Sequence, residues 1–381
     1  MAFYVRHYDH SHSLIEGFRP ENLHFTLNKK GIHTVQYERS HAAGVSHDFV
    51  GAYRTDFELD WEDPVTSSMS PIVYGMHVPA PTTEKGSGFT TIYGKDWKHY
   101  LERRHYPFNP LSINQFDLHS PMAGYAIYRN ADVAAHIKDL LDQTLGMANS
   151  LAITYPTLTT NLGIPVDFQL AHADSTTILT FIDQLSGVDP GFDYDILTTK
   201  ELRLYSPHKY NILVASNSAY ANYIFDSSNA NLITDGPTFA NNGPLATHWL
   251  GLGSGIGDGK MGVALGYSAS QAVYRRLDQV QDYSEVKKAS DLRLRAMKDF
   301  SFALNPQHEI TFSVQAEKIA NFWVLFRPGE AIWLDSELTS HQIQSGQEIV
   351  QMDCVADGSG GCTVSFGLNQ IYTGTAGVDQ A

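Results

Sequence analysis

TDFELDWE, residues Thr55 to Glu62, has the strict alternation of a β-strand with two unlike faces. Successive side chains of a strand point to opposite sides of the sheet, so parity separates the residues of this segment. One side carries only the apolar residues Phe57, Leu59 and Trp61. The other side carries only the carboxylates Asp56, Glu58, Asp60 and Glu62. The apolar side must lie against a core, which favours a β-rich fold around this strand.

The row of carboxylates is the unusual side of this strand. Neighbours on one face of a strand lie roughly 7 Å apart, and two such charges repel by about 0.6 kcal/mol even at the dielectric constant of water. We therefore expect water to bathe this face. Two interpretations stay open. The face is either the solvated side of an ordinary antiparallel sheet or the wall of a wet channel whose negative potential keeps a polyanion from adhering.

Size and composition predict a folded protein with two or three domains. The chain has 381 residues, of which 43% are hydrophobic and 12% aromatic, enough for proper cores. The formal net charge of -15 argues against a surface that binds nucleic acid, so contact with DNA would be passage without adhesion. The first residues, MAFYVRHYDH, lack the apolar region of a signal peptide, and the chain has no long apolar run. We therefore expect synthesis in the cytoplasm and no membrane-spanning segment.

Turn residues and periodicity divide the chain into three segments. Residues 1–93 alternate between strand and turn patterns, which predicts a small β-barrel or sandwich. Residues 94–206 carry short amphipathic helices among strands, which predicts an inserted α+β domain. Residues 207–381 return to β patterns, with one long helix over 284–304 and a terminal hairpin. The fold class is therefore mixed β and α+β, and the first and last segments can share strands.

Local signals predict where several elements begin and end. Asn130 is the candidate N-cap of a helix that stops at Gly146. Asp174 or Ser175 is the candidate N-cap of the next helix. The segment FWVLFRPGEAIWL, residues 322–334, predicts two hydrophobic strands that turn at Pro-Gly.

The two cysteines are a candidate disulfide. Cys354 and Cys362 flank VADGSGG at the tip of the terminal hairpin, where they can face each other across two strands. They would oxidise outside a reducing cell, whereas two free thiols are expected inside one. Two cysteines exclude a disulfide framework and a four-cysteine zinc site.

The sequence offers no convincing catalytic, cofactor or metal site. LGLGSGIGDGK has Ser254, and Met261 follows it, where a phosphate-binding loop needs Gly and Ser or Thr, so the segment predicts a turn. His7, His10 and His12 do not share one strand parity, which weighs against a shared metal. The acidic row could hold a glycosidase pair, yet no carboxylate is obviously set in an apolar pocket that would make it a proton donor. We therefore predict no enzyme.

Four blocks, in this order, resemble the siphophage tail-hub family, the baseplate hub or tail-associated minor tail proteins of long-tailed bacteriophages. They cover most of the chain. The blocks are residues 4–38, residues 90–107, residues 175–207, and the combination of LGLGSGIGDGK at 250–260, the helix from Ser284 and RPGEAIWL at 327–334. The chain departs from the family pattern at Glu330, where Asp commonly follows Pro-Gly. The lytic or fibre extension of some relatives is not expected here.

The resemblance implies a structural virion protein, a homotrimeric ring at the distal end of the tail. Each subunit would carry two tube-protein-like β-barrels, so that three copies match a sixfold tube. The implied partners are the tail tube, the distal tail protein ring, the tape measure protein and other minor tail proteins or fibres. The genome would pass through the ring during ejection, and the acidic row becomes a candidate channel lining. Two rivals stay open: a tail-tip cell-wall hydrolase and a receptor- or carbohydrate-binding tip protein.

Overall fold

The fold, given by a computed structural model, is mostly β with a few helices, as the alternating patterns predict. The structure describes residues 2–9, 11–40, 53–64, 66–79, 89–105, 125–145, 153–156, 162–171, 176–187, 191–206, 224–226, 233–241, 245–284, 286–304, 308–338, 341–357, 361–370 and 379–380. Within these ranges, no helix is both long and apolar enough to cross a bilayer.

The first part of the chain forms antiparallel strands whose inward residues are apolar. The strands are Ala2–Asp9 (β1), Leu14–Phe18 (β2), Asn22–Asn28 (β3), Thr34–Ser40 (β4), Thr55–Glu62 (β5), Met69–Val78 (β6) and Phe89–Asp96 (β7). They curl enough for Phe18 of β2 to pack on Tyr37 of β4, with ring centroids 6.0 Å apart.

The middle part is a smaller α+β unit with its own hydrophobic cluster, drawn from residues 101–202. Its elements are Lys98–Glu102 (α1), Tyr125–Asp132 (β8), Val133–Leu145 (α2), Pro165–Ala171 (β9), Ile178–Ser186 (α3), Asp193–Ile196 (β10) and Leu202–Tyr205 (β11). The apolar faces of α2 and α3 both contribute to this cluster, because their apolar residues recur at helical spacing.

The last part contains a third cluster, from residues 246–304, and the strands that complete the large sheet. The elements are Ile224–Asp226 (β12), Ile233–Asn241 (β13), His248–Leu252 (β14), Gly262–Gly266 (β15), Ser268–Tyr274 (α4), Asp278–Asp282 (β16), Ala289–Ala303 (α5), His308–Gln315 (β17), Phe322–Leu325 (α6), Ala331–Leu338 (β18), His341–Asp357 (β19), Cys362–Gln370 (β20) and Asp379–Gln380 (β21).

Strands from both ends of the chain form one sheet of 13 strands in the described residues. Its order is β13-β17-β20-β19-β3-β4-β7-β6-β5-β1-β2, with β18 pairing both β19 and β12. The long strand β19 joins the two ends, because its first half pairs with β18 and its second half, from Gln351 to Asp357, pairs with β3. The core beneath draws on residues 3–92 and 310–368, with Phe3 packed on Trp61 and Phe25 packed on Trp323.

Several predicted helix starts and N-caps are wrong, in each case because of a hydrogen bond near the start of the helix. The long helix begins at Ala289 and not at 284, because Val286 accepts a hydrogen bond from the Ser254 N–H (2.9 Å) and stays attached to the loop after β14. Asp132 caps α2 in place of Asn130, accepting from the Ala134 N–H at 2.9 Å. Thr177 caps α3, while Asp174 and Ser175 lie outside the described residues.

The predicted strand over FWVLF is the short helix α6. Phe322 and its neighbour Trp323 are both fully buried, which a strand covered on one face does not allow. Asn321 has a left-handed backbone (φ 56) and donates its N–H to Asp63 Oδ2 at 2.5 Å, which turns the chain into the helix.

Candidate functional site

Strand β5 has the predicted bounds and the predicted apolar face. It lies between β1 and β6 and is antiparallel to both. Phe57, Leu59 and Trp61 are at most 1% exposed and belong to the main core. The interpretation of TDFELDWE as a two-faced strand is therefore confirmed.

The carboxylate face is covered more than the sequence predicts. Asp56 and Asp60 are buried, at 6% and 2% exposure, while Glu58 and Glu62 are half-buried. The expectation that water bathes the entire face is wrong for Asp56 and Asp60. The reason is that side chains of β1 and of residues far along the chain lie over them.

Each of these carboxylates has a basic neighbour. His12 lies 3.4 Å from Asp56, Arg6 lies 3.3 Å from Glu58 and 3.2 Å from Asp60, and Arg19 lies 3.8 Å from Glu62. Arg6 stands opposite Glu58 in the β1–β5 register, and the Tyr8 hydroxyl donates to the same carboxylate at 2.7 Å. The Arg6 and Arg19 charges therefore weaken the potential over Glu58, Asp60 and Glu62. Burial and the Lys200 charge lower the pKa of His12, so His12 adds no such charge beside Asp56.

Burial changes the protonation of this face at one position. Desolvation, with the Glu58 charge adding to it, raises the pKa of Asp60 to about 6, although the Arg6 charge opposes this. Asp60 consequently titrates close to physiological pH instead of staying fully ionised.

The acidic face is also where the middle α+β unit meets the large sheet. Lys200 follows β10, has a left-handed backbone (φ 63) and contacts His12 through its ammonium group. Its Nζ lies 4.4 Å from the ring centroid of Trp97. The Tyr74 hydroxyl hydrogen-bonds to His12 Nδ1 at 2.8 Å. This face is therefore a junction between two parts of the molecule.

A buried polar chain crosses the interior of the same sheet, and the sequence analysis missed it. His7 Nε2 lies 2.7 Å from the Tyr37 hydroxyl, which lies 2.7 Å from His77 Nε2. Thr55 Oγ1 lies 2.7 Å from His77 Nδ1. A signal was present, because His7 shares strand parity with the buried Phe3 and could have been assigned to the interior.

In this series of hydrogen bonds, the donor and the acceptor of each bond can be assigned. Arg39 binds both oxygens of Glu16, at 2.6 and 2.7 Å, so that carboxylate is ionised and can only accept from His7 Nδ1. Burial lowers the pKa of His7 to about 2 and that of His77 to about 4, so each ring carries one proton. Tyr37 then donates to His7 and accepts from His77. This series of hydrogen bonds connects strands β1, β2, β4 and β6.

The histidines considered as metal ligands do not converge. His7 points into the core, His12 lies at the acidic face, and His10 is outside the described residues. In the described ranges, no group of three or more His, Cys, Asp or Glu side chains is placed to hold a metal ion.

The glycine-rich segment forms the turn that the failed phosphate-loop pattern predicts. It joins β14 to β15, which pair as a hairpin. Gly255 has a φ of +126, and a Cβ there would lie 2.4 Å from the Gly259 carbonyl oxygen. The glycine is therefore required by the turn itself.

The two cysteines lie side by side as free thiols. Cys354 on β19 and Cys362 on β20 are buried, with their sulfurs 3.0 Å apart. Burial and the neighbouring thiol raise the pKa of Cys354. The buried Cys354 thiol is therefore held in its protonated form.

The fold is that of phage tail proteins. No family model matches the sequence, and no curated protein matches it significantly. The 43 kDa tail protein of prophage MuSo2 from Shewanella oneidensis has a similar structure (TM-score 0.65, 11% identity, 96% of this chain and 98% of that one). So do a tail protein from Neisseria meningitidis MC58 (TM-score 0.61, 11% identity, 97% of both chains) and the prophage tail protein gp18 from Listeria monocytogenes EGD-e (TM-score 0.53, 10% identity, 96% and 94%).

Proposed function

We propose that the chain is a structural protein of a phage virion, a homotrimeric hub at the distal tip of the tail. The observation that carries this proposal is likeness over whole chains: the match spans 96% of this protein and 98% of the Shewanella prophage tail protein. A structural match over whole chains compares the arrangement of all segments of the two proteins. A single domain shared by many proteins would match over only part of the chain. The order of the four sequence blocks supports the same assignment.

Within this hub, residues 1–93 and 207–381 would each supply a tube-protein-like barrel lobe to the continuous sheet, with residues 94–206 inserted between them. The strand pairing of β3 with β19 supports such a joined pair, because it connects the two lobes without a linker. Three subunits would present six lobes to the tail tube and to the distal tail protein ring. The tape measure protein and other minor tail proteins or fibres are the further partners.

In the assembled ring, the face of Asp56, Glu58, Asp60 and Glu62 would line the channel through which the genome passes. The half-buried Glu58 and Glu62 are the members of this row that DNA could approach. Their basic neighbours reduce the charge without reversing it, so DNA would be neither held nor strongly repelled.

The role would be mechanical, with contacts that hold a closed state and are exchanged on opening. Lysines make part of the contact between the inserted unit and the rest of the molecule, beside the packing of Trp97 on Tyr74 and of Ile32 on the unit's apolar cluster. Lys29 lies 3.1 Å from Asp193, and Lys298 donates to the Gly187 carbonyl at 3.0 Å. Exchange of these polar contacts for others on opening would let the insert move as a unit.

The cysteine pair would close into a disulfide after release of the virion from the reducing cytoplasm. The sulfurs of Cys354 and Cys362 need only a small approach from 3.0 Å, and both strands already lie in register around them.

The test is the native mass of the purified protein together with averaged electron micrographs. We expect three copies of the 42.3 kDa chain in a ring with a central hole. A monomer with a closed cleft would refute the hub. Cleavage of purified cell wall by that monomer would then favour the hydrolase, and affinity for host glycans the receptor-binding protein.

A further inference from the structure

A fully buried lysine lies where strand β7 of the large sheet leads into the middle unit. Lys98 begins helix α1, two residues after the end of β7, and its side chain is 0% exposed. Its Nζ lies 3.3 Å from Asp195 Oδ1 on β10 and 5.7 Å from the ring centroid of Tyr194. Among the described residues, this Nζ has no hydrogen-bond partner. Lys98 is thus a buried amine that contacts a carboxylate without the geometry of a hydrogen bond.

Burial makes this contact costly as an ion pair. A buried ammonium group needs hydrogen bonds to its protons, which Lys98 lacks. Transfer of one proton from Nζ to the Asp195 carboxylate removes both charges and leaves a free amine beside a carboxylic acid. These are the two groups that condense to an amide. The pair of Lys260 with Asp282, at 2.9 Å, differs because both side chains are open to water, which solvates their charges.

Two further charged side chains influence this pair. Asp96 is buried, and the charges of Lys98 and Asp195 both act on its carboxyl group. Burial raises the pKa of Asp96 to about 7, although the Lys98 charge and the backbone N–H groups of His33 and Lys98 oppose this. A carboxyl group of this kind can give and take a proton near neutral pH. The Arg327 guanidinium interacts with the charge of Asp195, so it can stabilise a negative oxygen that develops there.

We propose that Lys98 and Asp195 join in an intramolecular amide bond, with Asp96 as the proton carrier. Nζ attacks Cγ of the protonated Asp195 carboxyl group, and a C–N bond forms. Asp96 gives its proton to the departing hydroxyl group and takes one from Nζ, so that the C–O bond breaks and one water molecule leaves. In total, an ammonium group and a carboxylate become an amide and water, without an oxidant or a reductant. The water can leave through a cavity of about 430 Å³ that Asp195 lines.

The bond would fasten the start of the middle unit to its strand β10. Lys98 stands where the chain enters this unit, whereas Asp195 lies near the end of the unit in sequence. Water can separate an ion pair, but it does not readily separate an amide, so the two ends of the unit would stay together. The proposal stands independently of the hub function, because it concerns atoms of one chain only.

Intact mass and peptide mapping of the reduced, full-length protein test this inference. After incubation at neutral pH, we expect the wild-type protein to weigh one water molecule less than its sequence requires. A protease digest should contain one branched peptide that joins Lys98 to Asp195. Lys98→Arg and Asp195→Ala should lack both signals. The pair of Lys260 with Asp282 is the matched control within the same digest, because its two solvated side chains should stay unlinked.

The variant Asp96→Asn tests the proton carrier. Asparagine keeps the shape of the side chain but cannot carry the proton, so the linked fraction at a fixed time after synthesis should fall about tenfold or more. Equal linkage in folded Asp96→Asn and wild type would overturn the role of Asp96. Unmodified Lys98 throughout the wild-type digest, or equal linkage of Lys260 to Asp282, overturns the amide itself. This wild-type digest decides even where a variant fails to fold.

Discussion

Replacement of Tyr37 by phenylalanine removes one hydroxyl from the centre of the buried chain and keeps the ring in place. That hydroxyl lies 2.7 Å from a nitrogen of His7 and 2.7 Å from a nitrogen of His77, and Tyr37 is 0% exposed. The variant therefore leaves two buried nitrogens without a partner and no water to replace it. Each such group costs about 1–3 kcal/mol, so we expect the free energy of unfolding to fall by about 2–6 kcal/mol.

Urea denaturation followed by circular dichroism measures this change. Tyr4→Phe is the matched control, because the Tyr4 hydroxyl accepts from Arg19 Nε at 3.0 Å at the surface, where water can replace it. The control should change the free energy of unfolding by less than about 0.5 kcal/mol. Equal destabilisation by the two variants would refute the assignment of the His7–Tyr37–His77 chain as a tightly satisfied network.

Three further outcomes are expected. Because burial lowers the pKa of His77 to about 4 from 6.5, the unfolded chain takes up a proton that the folded state refuses. His77 alone should then remove about 3 kcal/mol of stability as the pH drops through that window. Because burial lowers the pKa of His7 to about 2, His7 removes stability over the same window, so His77→Gln should reduce the slope of the curve without abolishing it. Gly94→Ala places a Cβ 2.3 Å from the Phe57 ring. It should cost about 3 kcal/mol in thermal melts, whereas Gly262→Ala, with 3.9 Å to its nearest atom, should cost far less. Mild oxidation should remove the free thiols of Cys354 and Cys362 with the mass loss of two hydrogens, and dimers linked between chains would contradict this.

The alternation in the sequence predicted on which face of the strand each side chain lies. Thr55 to Glu62 is a strand with a buried apolar face because alternation is a local property. The cover over the acidic face could not be predicted, since Arg6 and Lys200 reach it from about 50 residues before and about 140 residues after. Burial of a charged face depends on such distant partners.

Helix ends and polar core residues were harder to predict. Several residues near a helix start can cap it, and Asp132 caps α2 because it already lies at the end of β8. Phe322 and Trp323 looked like a strand because aromatic residues favour strands, yet the core surrounds both of them.

The pairing of β3 with β19 has a consequence for synthesis. Thr26 donates to Asp353 across a sequence separation of 327 residues. A ribosome must therefore translate most of the chain before the edge of β3 finds its neighbour. Until then the nascent chain presents an open strand edge, which is a template for aggregation. Shielding of this edge by a chaperone should therefore raise the yield of folded protein, whereas slow elongation over the middle of the message would prolong the exposure.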